Sequence, residues 1–271
     1  MDPALSMTIA GSDSGGGAGL QADLKTFAAL GVFGTSVVTA LTAQNSAEVR
    51  GVLVVDPAFV ELQIDAVLSD LPVASVKTGM LASSATVAAV ARWAAEGRLP
   101  NLVVDPVLVA STGRPLLDEG AVASYLELLL PHALVVTPNM REAAILADMP
   151  VTDVDGMVRA ARRLADTGVG AVVVKGGHLA GRRAPDIVLL EGAVHVLDGP
   201  RVTSRNDHGT GCTLSAATAG LLALGTDLLD ALARAKEFVS VALRGSATWR
   251  LGAGHGPLDH FGWGAGTGSA R

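Results

Sequence analysis

The run Ala171-Val172-Val173-Val174-Lys175-Gly176-Gly177-His178 settles the architecture of this 271-residue chain. Its four apolar residues follow one another without the polar alternation of a half-wet strand, so the strand is expected to be buried on both faces. A sheet covered twice needs helices on both sides. Working outward, further apolar runs at 5–10, 36–43, 52–55, 74–77, 102–105 and 134–137 read as strands. Helical patterns occupy 19–30, 57–68, 85–96, 120–130, 141–147 and 155–166, with longer helices expected over 213–224 and 228–251. Segments 186–190 and 194–197, parted by Glu191, Gly192 and Ala193, read as an edge hairpin. The expected fold is a three-layer αβα sandwich around a mostly parallel sheet, with ligands at the carboxyl ends of the strands.

Composition bounds what such a fold can do. Hydrophobic residues make up 49% and charged residues 17%, far from the composition of a disordered chain. The formal net charge of −6 argues against nucleic acid or an anionic membrane as the main partner. A single cysteine excludes an intrachain disulfide and a cysteine-rich metal site. The first ten residues lack a basic segment followed by a long apolar one, and no apolar run reaches membrane-spanning length, so a cytoplasmic protein is expected. No linker or repeat divides residues 1–261, read as a single domain, and the Gly-rich end at 262–271 reads as a flexible tail.

The carboxyl ends of the predicted strands carry the chemistry. Residues 205–218, Arg-Asn-Asp-His-Gly-Thr-Gly-Cys-Thr-Leu-Ser-Ala-Ala-Thr, form a polar turn running into a small-residue helix. Helix N-termini leave backbone N–H groups unpaired, and glycines at Gly209 and Gly211 let an anion approach them. An ordinary glycine-opened helix has the same look. The loop 11–19, Gly-Ser-Asp-Ser-Gly-Gly-Gly-Ala-Gly, also joins a strand to a helix. A dinucleotide-binding reading is the weaker alternative, because the next strand ends in Thr42-Ala43-Gln44-Asn45, without the expected acidic residue. The Gln44 amide donates and accepts together, which suits a heteroaromatic ring bearing an amine beside a ring nitrogen, or equally a loop cap. Asp105 ends a strand. Asn139 and Glu142 have capping-box spacing at a helix start. Carboxylates close to phosphates call for an intervening cation, so Asp105 and Glu142 are candidates to hold Mg²⁺ through water. Lys175 supplies a point charge for a polyphosphate, with a solvated lysine as the bland alternative.

Taken together, GSDSGGGAGLQADLKTFAALG, TALTAQN, KTGML, DPV, TPN with the following glutamate, VVKGGH and HGTGCTLSAA resemble the hydroxymethylpyrimidine/phosphomethylpyrimidine kinases of thiamine biosynthesis. These belong to the ribokinase-like superfamily. The resemblance runs in order from about Met7 to the GHGPLDHF segment at 254–261. It implies ATP-dependent phosphorylation of 4-amino-5-hydroxymethyl-2-methylpyrimidine to its monophosphate and then to the diphosphate. Mg²⁺ is the implied metal, with room for a monovalent cation such as K⁺, and a homodimer is the implied assembly. Pyridoxal kinases of the same superfamily are the nearest alternative, because both substrates are heteroaromatic rings with a hydroxymethyl arm.

By the same resemblance, Gly11, Asp23, Gln44, Met80 and Val107 surround the pyrimidine. Gly209, Thr210, Gly211 and Cys212 form the anion hole for the transferring phosphoryl group. Asp105 and Glu142 belong to the Mg²⁺ region, and Asn139, Lys175 and Lys236 to the nucleotide. An exposed helical lysine is the plainer reading of Lys236. A helix N-terminus can lower a thiol pKa toward neutrality, which makes Cys212 a candidate base for the substrate hydroxyl, or a small residue that simply fits. Two departures stand out. Ser111-Thr112-Gly113-Arg114 replaces a loop that often has a lysine and an aspartate, and Asp207 puts negative charge beside the anion site.

Overall fold

The computed structural model describes residues 2–108 and 120–265, so the 111–114 departure and the last six residues lie outside the described part. Among the described residues, nine strands form one sheet: β1 (Leu5–Asp13), β2 (Phe33–Gln44), β3 (Val49–Val54), β4 (Ser75–Thr78), β5 (Val103–Val104), β6 (Val135–Val136), β7 (Ala171–Val174), β8 (Asp186–Leu190) and β9 (Ala193–Leu197). Their order is β3-β2-β1-β4-β5-β6-β7-β8-β9. The pairs from β2 through β7 are parallel, while β3 and the β8–β9 hairpin add antiparallel edges.

Helices cover both faces, as the apolar runs require. Helices α2 (Pro57–Leu68), α3 (Ser84–Ala95), α5 (Met140–Leu146) and α6 (Val154–Ala165) pack on one core with Met7, Ile9, Val76, Val104, Val136 and Val174. The other face takes α1 (Gly19–Ala29), α7 (Thr210–Ala223) and α8 (Leu228–Ser246) against Val103, Val135, Ala171 and Val173. Alternate residues of β5, β6 and β7 thus enter opposite cores, which is why these strands carry no polar position. Among the described residues, no helix is long and apolar enough to cross a membrane.

Several boundaries differ from the sequence reading. The helix expected over 120–130 is a short α4 (Ala121–Ser124) that widens into a π-type turn at Tyr125–Leu129. A single tight turn, Leu130–His132, follows, where Pro131 has no N–H to extend an α ladder. Helix α8 stops at Ser246 rather than running to 251. The buried Asn206 side chain donates to the carbonyls of Ser246 and Trp249, taking up acceptors that a continuing helix would use. The β8–β9 turn uses two residues, Glu191 and Gly192, both at positive φ, the tight hairpin geometry that matches strand twist. After 261 the chain makes another turn, Trp263–Ala265, whose Trp263 and Gly264 N–H groups donate to Asp259.

Candidate active site

Helix α7 begins three residues earlier than expected, and this turns the glycine motif into the helix's own first turn. Gly209 is the N-cap, at φ 90°, and a Cβ there would lie 1.9 Å from the Gly17 carbonyl oxygen. Only glycine fits both the left-handed backbone and that approach. Thr210, Gly211 and Cys212 then occupy the first three helical positions, where N–H groups have no partner within the helix. Gly211 faces the cation: a Cβ there would be 3.1 Å from Lys175 Nζ and 3.6 Å from Asp105 Oδ2.

On this side the strand ends converge as the sequence suggests. Lys175 Nζ donates to Asp105 Oδ1 at 2.9 Å, and the hydroxyls of Thr137 and Ser215 donate more weakly to the same carboxylate. Asn139 caps α5 by accepting from the N–H groups of Arg141 and Glu142, and Glu142 accepts from the Asn139 N–H at 2.8 Å, completing a capping box. Burial pushes the Glu142 carboxyl up to about 7, helped by the negative Asp105 and opposed by Lys175. Beside this cluster opens a cleft of about 430 Å³ lined by Asn139, Lys175, Thr210, Gly211, Lys236 and Val239 among others. Lys236 is not a free surface lysine. It reaches from α8 to Asp186 Oδ2 at 2.6 Å and to the Ala184 carbonyl, at the edge of the cleft. Asp207 also borders the cleft, with its carboxylate held by His255 Nδ1 at 2.6 Å.

The other side of the α7 turn is closed and densely hydrogen-bonded. Asp23 on α1 and Lys77 at the end of β4 are both fully buried and meet at 2.8 Å. Thr8 donates to the same Asp23 oxygen, Oδ2, while Oδ1 has no partner among the described residues. Burial disfavours the Lys77 ammonium, but Asp23, Cys212 and Asp105 more than offset this and raise its pKa. Burial likewise raises Asp23, with Lys77 opposing. Gly11 and Met80 share one spot, since a Cβ on Gly11 would lie 2.4 Å from the Met80 methyl. Half-buried Val107 follows Asp105 and donates its N–H to the Asp105 carbonyl. Gln44, at the end of β2, is pinned by the Ser14 hydroxyl, which donates to its carbonyl and accepts from its N–H. Its amide reaches His208 Nε2 at 3.3 Å, and the same His nitrogen lies 2.9 Å from Asp13 Oδ2.

One expectation is corrected. The Cys212 thiol is not brought toward neutrality by the helix N-terminus. Burial pushes it up to about 11, and Asp23 and Asp105 push the same way against Lys77. Desolvation and two nearby carboxylates outweigh the partial charge of one helix end. Sequence reasoning also assigned nothing to Lys77, Asp13 or His208. In the sequence reading Lys77 closes an apolar run just as Lys175 does, so position alone offered a signal for it. The pairing of Asp13 with His208 spans 195 positions and has no sequence signature.

This chain, with an open cleft on one side of a helix N-terminus and a buried polar cluster on the other, has counterparts among known proteins in sequence and fold. A profile of the phosphomethylpyrimidine kinase family matches residues 13–259. The chain belongs to that family. It is 50% identical over 255 residues to the thiamine biosynthesis bifunctional protein ThiED of Geobacter sulfurreducens, covering 94% of this chain but 52% of that protein. The chain therefore spans about half the length of that relative. It is 49% identical to the hydroxymethylpyrimidine/phosphomethylpyrimidine kinase of Rhizobium meliloti, covering 95% of this chain and 97% of the relative. Among solved structures it resembles the pyridoxal kinase of Staphylococcus aureus in complex with AMP-PCP and pyridoxal, at 31% identity and a TM-score of 0.87, over 97% and 95% of the two chains. The family's fold, ribokinase-like, is thus the one the sheet order displays.

Proposed function

We propose that this protein uses ATP to phosphorylate 4-amino-5-hydroxymethyl-2-methylpyrimidine and then its monophosphate, in thiamine biosynthesis. The supporting observation is the N-terminus of α7. Its first-turn N–H groups, which have no partner within the helix, stand between a cleft carrying Lys175 and Lys236 and a buried cluster with Asp23, Gln44 and Met80. In this reading the nucleotide occupies the cleft and the pyrimidine the pocket. The substrate oxygen attacks the γ-phosphorus in line with departing ADP, and the Gly209–Cys212 backbone faces the equatorial oxygens. Such transfers depend mainly on positioning and charge stabilisation.

Asp105 and Glu142 are buried, oxygen-only donors, a pair that suits Mg²⁺ retaining water and phosphate ligands. They would hold that ion, whose charge offsets that of the β- and γ-phosphates. Asn139 keeps Glu142 in place through the capping box, and Lys175 orients Asp105. Cys212 is the candidate acceptor for the hydroxyl proton in the first transfer. The second transfer begins from an ionised phosphate and needs no base. A homodimer accords with the exposed apolar side chains of Leu53 (65%) on the edge strand β3 and of Phe59 and Leu62 (55% and 59%) on α2.

An assay of ADP release comparing hydroxymethylpyrimidine, its monophosphate and pyridoxal tests the reading. Both pyrimidines should be turned over with a higher kcat/KM than pyridoxal. The reverse order would assign the pocket to a pyridine.

A further inference from the structure

We propose that His208, oriented by Asp13, determines which way round the Gln44 amide sits, and so acts as a positioning residue for recognition of an amine-bearing ring. The inference rests on the reading of Gln44 as the group that meets the ring.

The argument starts from proton counting. Asp13 Oδ2 can only accept: it already takes the N–H groups of Gly17 and Ala18, at 3.1 and 2.9 Å. The His208 pair and these backbone bonds hold the Asp13 carboxyl below its ordinary value, although burial pulls the other way. His208 Nε2, 2.9 Å from that oxygen, must therefore carry a hydrogen. A nitrogen that carries a hydrogen cannot also accept. The structure sets Gln44 Nε2 3.3 Å from it, which puts two hydrogen-bearing nitrogens face to face; turning the amide over, which its near-symmetric shape allows, brings its oxygen there to share the single Nε2 hydrogen with Asp13. The other end agrees. The Thr42 hydroxyl lies 3.3 Å from Gln44 Oε1 but has a nearer acceptor in the Ser12 carbonyl at 2.9 Å, so with the amide turned over it is free to accept from the Gln44 nitrogen. In that orientation each donor in the chain Asp13–His208–Gln44–Thr42–Ser12 faces an acceptor, with the His208 hydrogen divided between Asp13 and Gln44.

The consequence is directional. With its oxygen toward His208 and its nitrogen toward Thr42, the amide offers a ligand one remaining lone pair and one remaining N–H in a fixed order. That order matches an exocyclic amine beside a ring nitrogen. A pyridine without the amine leaves the oxygen unmatched. His208 lies next to Gly209, and the main chain there is tied to Gly256 and Pro257, so the donor cannot drift.

The test uses the full chain and compares wild type with His208→Met, His208→Gln, Gln44→Leu and the double variant Gln44→Leu/His208→Met. Methionine fills similar volume without a donor, and the glutamine nitrogen can take the place of Nε2. We expect His208→Met to raise KM for hydroxymethylpyrimidine roughly tenfold, as loss of one buried polar partner would, with KM for ATP unchanged. The preference for the pyrimidine over pyridoxal should fall in parallel, His208→Gln should recover most of both, and the double variant should be no worse than Gln44→Leu. Additive losses in the double variant, or an unchanged pyrimidine-to-pyridoxal ratio in His208→Met, would overturn the inference while leaving Gln44 as the ring contact. If Gln44→Leu itself leaves the pyrimidine KM unaltered, the reading of Gln44 fails first and the inference with it.

Discussion

The two sides of the α7 first turn are built on different principles. The pocket side is buried and densely bonded: Asp23, Lys77 and Thr8 form one network, and Gln44, His208 and Asp13 form another. The cleft side is open, and its Lys175 and Lys236 keep some exposure while paired with Asp105 and Asp186. A small neutral ring must be recognised by hydrogen bonds set in advance, since it brings no charge of its own to organise them. A polyphosphate brings charge, so a few cations and a row of backbone N–H groups suffice. The pocket should therefore respond to substitution in stability and ring affinity, and the cleft in rate.

The largest effect should come from Lys77→Met, which leaves the Asp23 carboxylate buried and uncompensated. Breaking a buried pair on one side typically costs 3–5 kcal/mol. Chemical denaturation should show that loss, and Asp23→Asn/Lys77→Met should regain much of it. If Lys77→Met alone keeps wild-type stability, the buried network does not hold this side together and the contrast between the sides collapses. Gly209→Ala should act next, through rate. Its Cβ would strike the Gly17 carbonyl and its φ disfavours any side chain, so the first turn of α7 must shift. Loss of one aimed N–H donor elsewhere costs about 10²–10³ in kcat, and we expect a drop of that order with KM for the pyrimidine little changed. A Gly209→Ala variant impaired only in pyrimidine KM would place this turn with the pocket.

The smallest effect should be that of Cys212→Ala at neutral pH. A thiol with a pKa of about 11 is deprotonated only on the order of 10⁻⁴ at pH 7. The first transfer should fall by no more than about tenfold there. A base must be deprotonated to act, so the wild-type first transfer should keep rising from pH 7 to 9, and the gap to Cys212→Ala should widen. The second transfer should show neither trend. Single-turnover rates for both steps across that range decide it, and parallel profiles for wild type and variant would leave Cys212 as packing alone.

The apolar runs around Val103, Val135 and Val173 were enough to announce a sheet covered on both faces, because burial on two sides forbids polar alternation. Strand lengths were less legible. β1 and β2 run on to Asp13 and Gln44 through Gly, Ser and Thr, residues that look like loop until a neighbouring strand pairs with them. The capping box at Asn139 and Glu142 is local and was visible. The end of α8 at Ser246 was not, since it depends on Asn206, 40 residues away.

The sequence by itself determined the covered sheet, the ligand-bearing strand ends and the glycine-opened helix, because each follows from short-range patterns of burial and backbone freedom. It placed Asp105, Lys175 and the 209–212 turn at one end of the sheet for the same reason. Only the tertiary structure decided the protonation of Cys212, the pairing of Lys77 with Asp23 and the meeting of Gln44 with His208 and Asp13. Those properties are set by fields and hydrogen bonds between groups 54 to 195 positions apart, and such groups acquire their chemistry only once folding has removed the water between them.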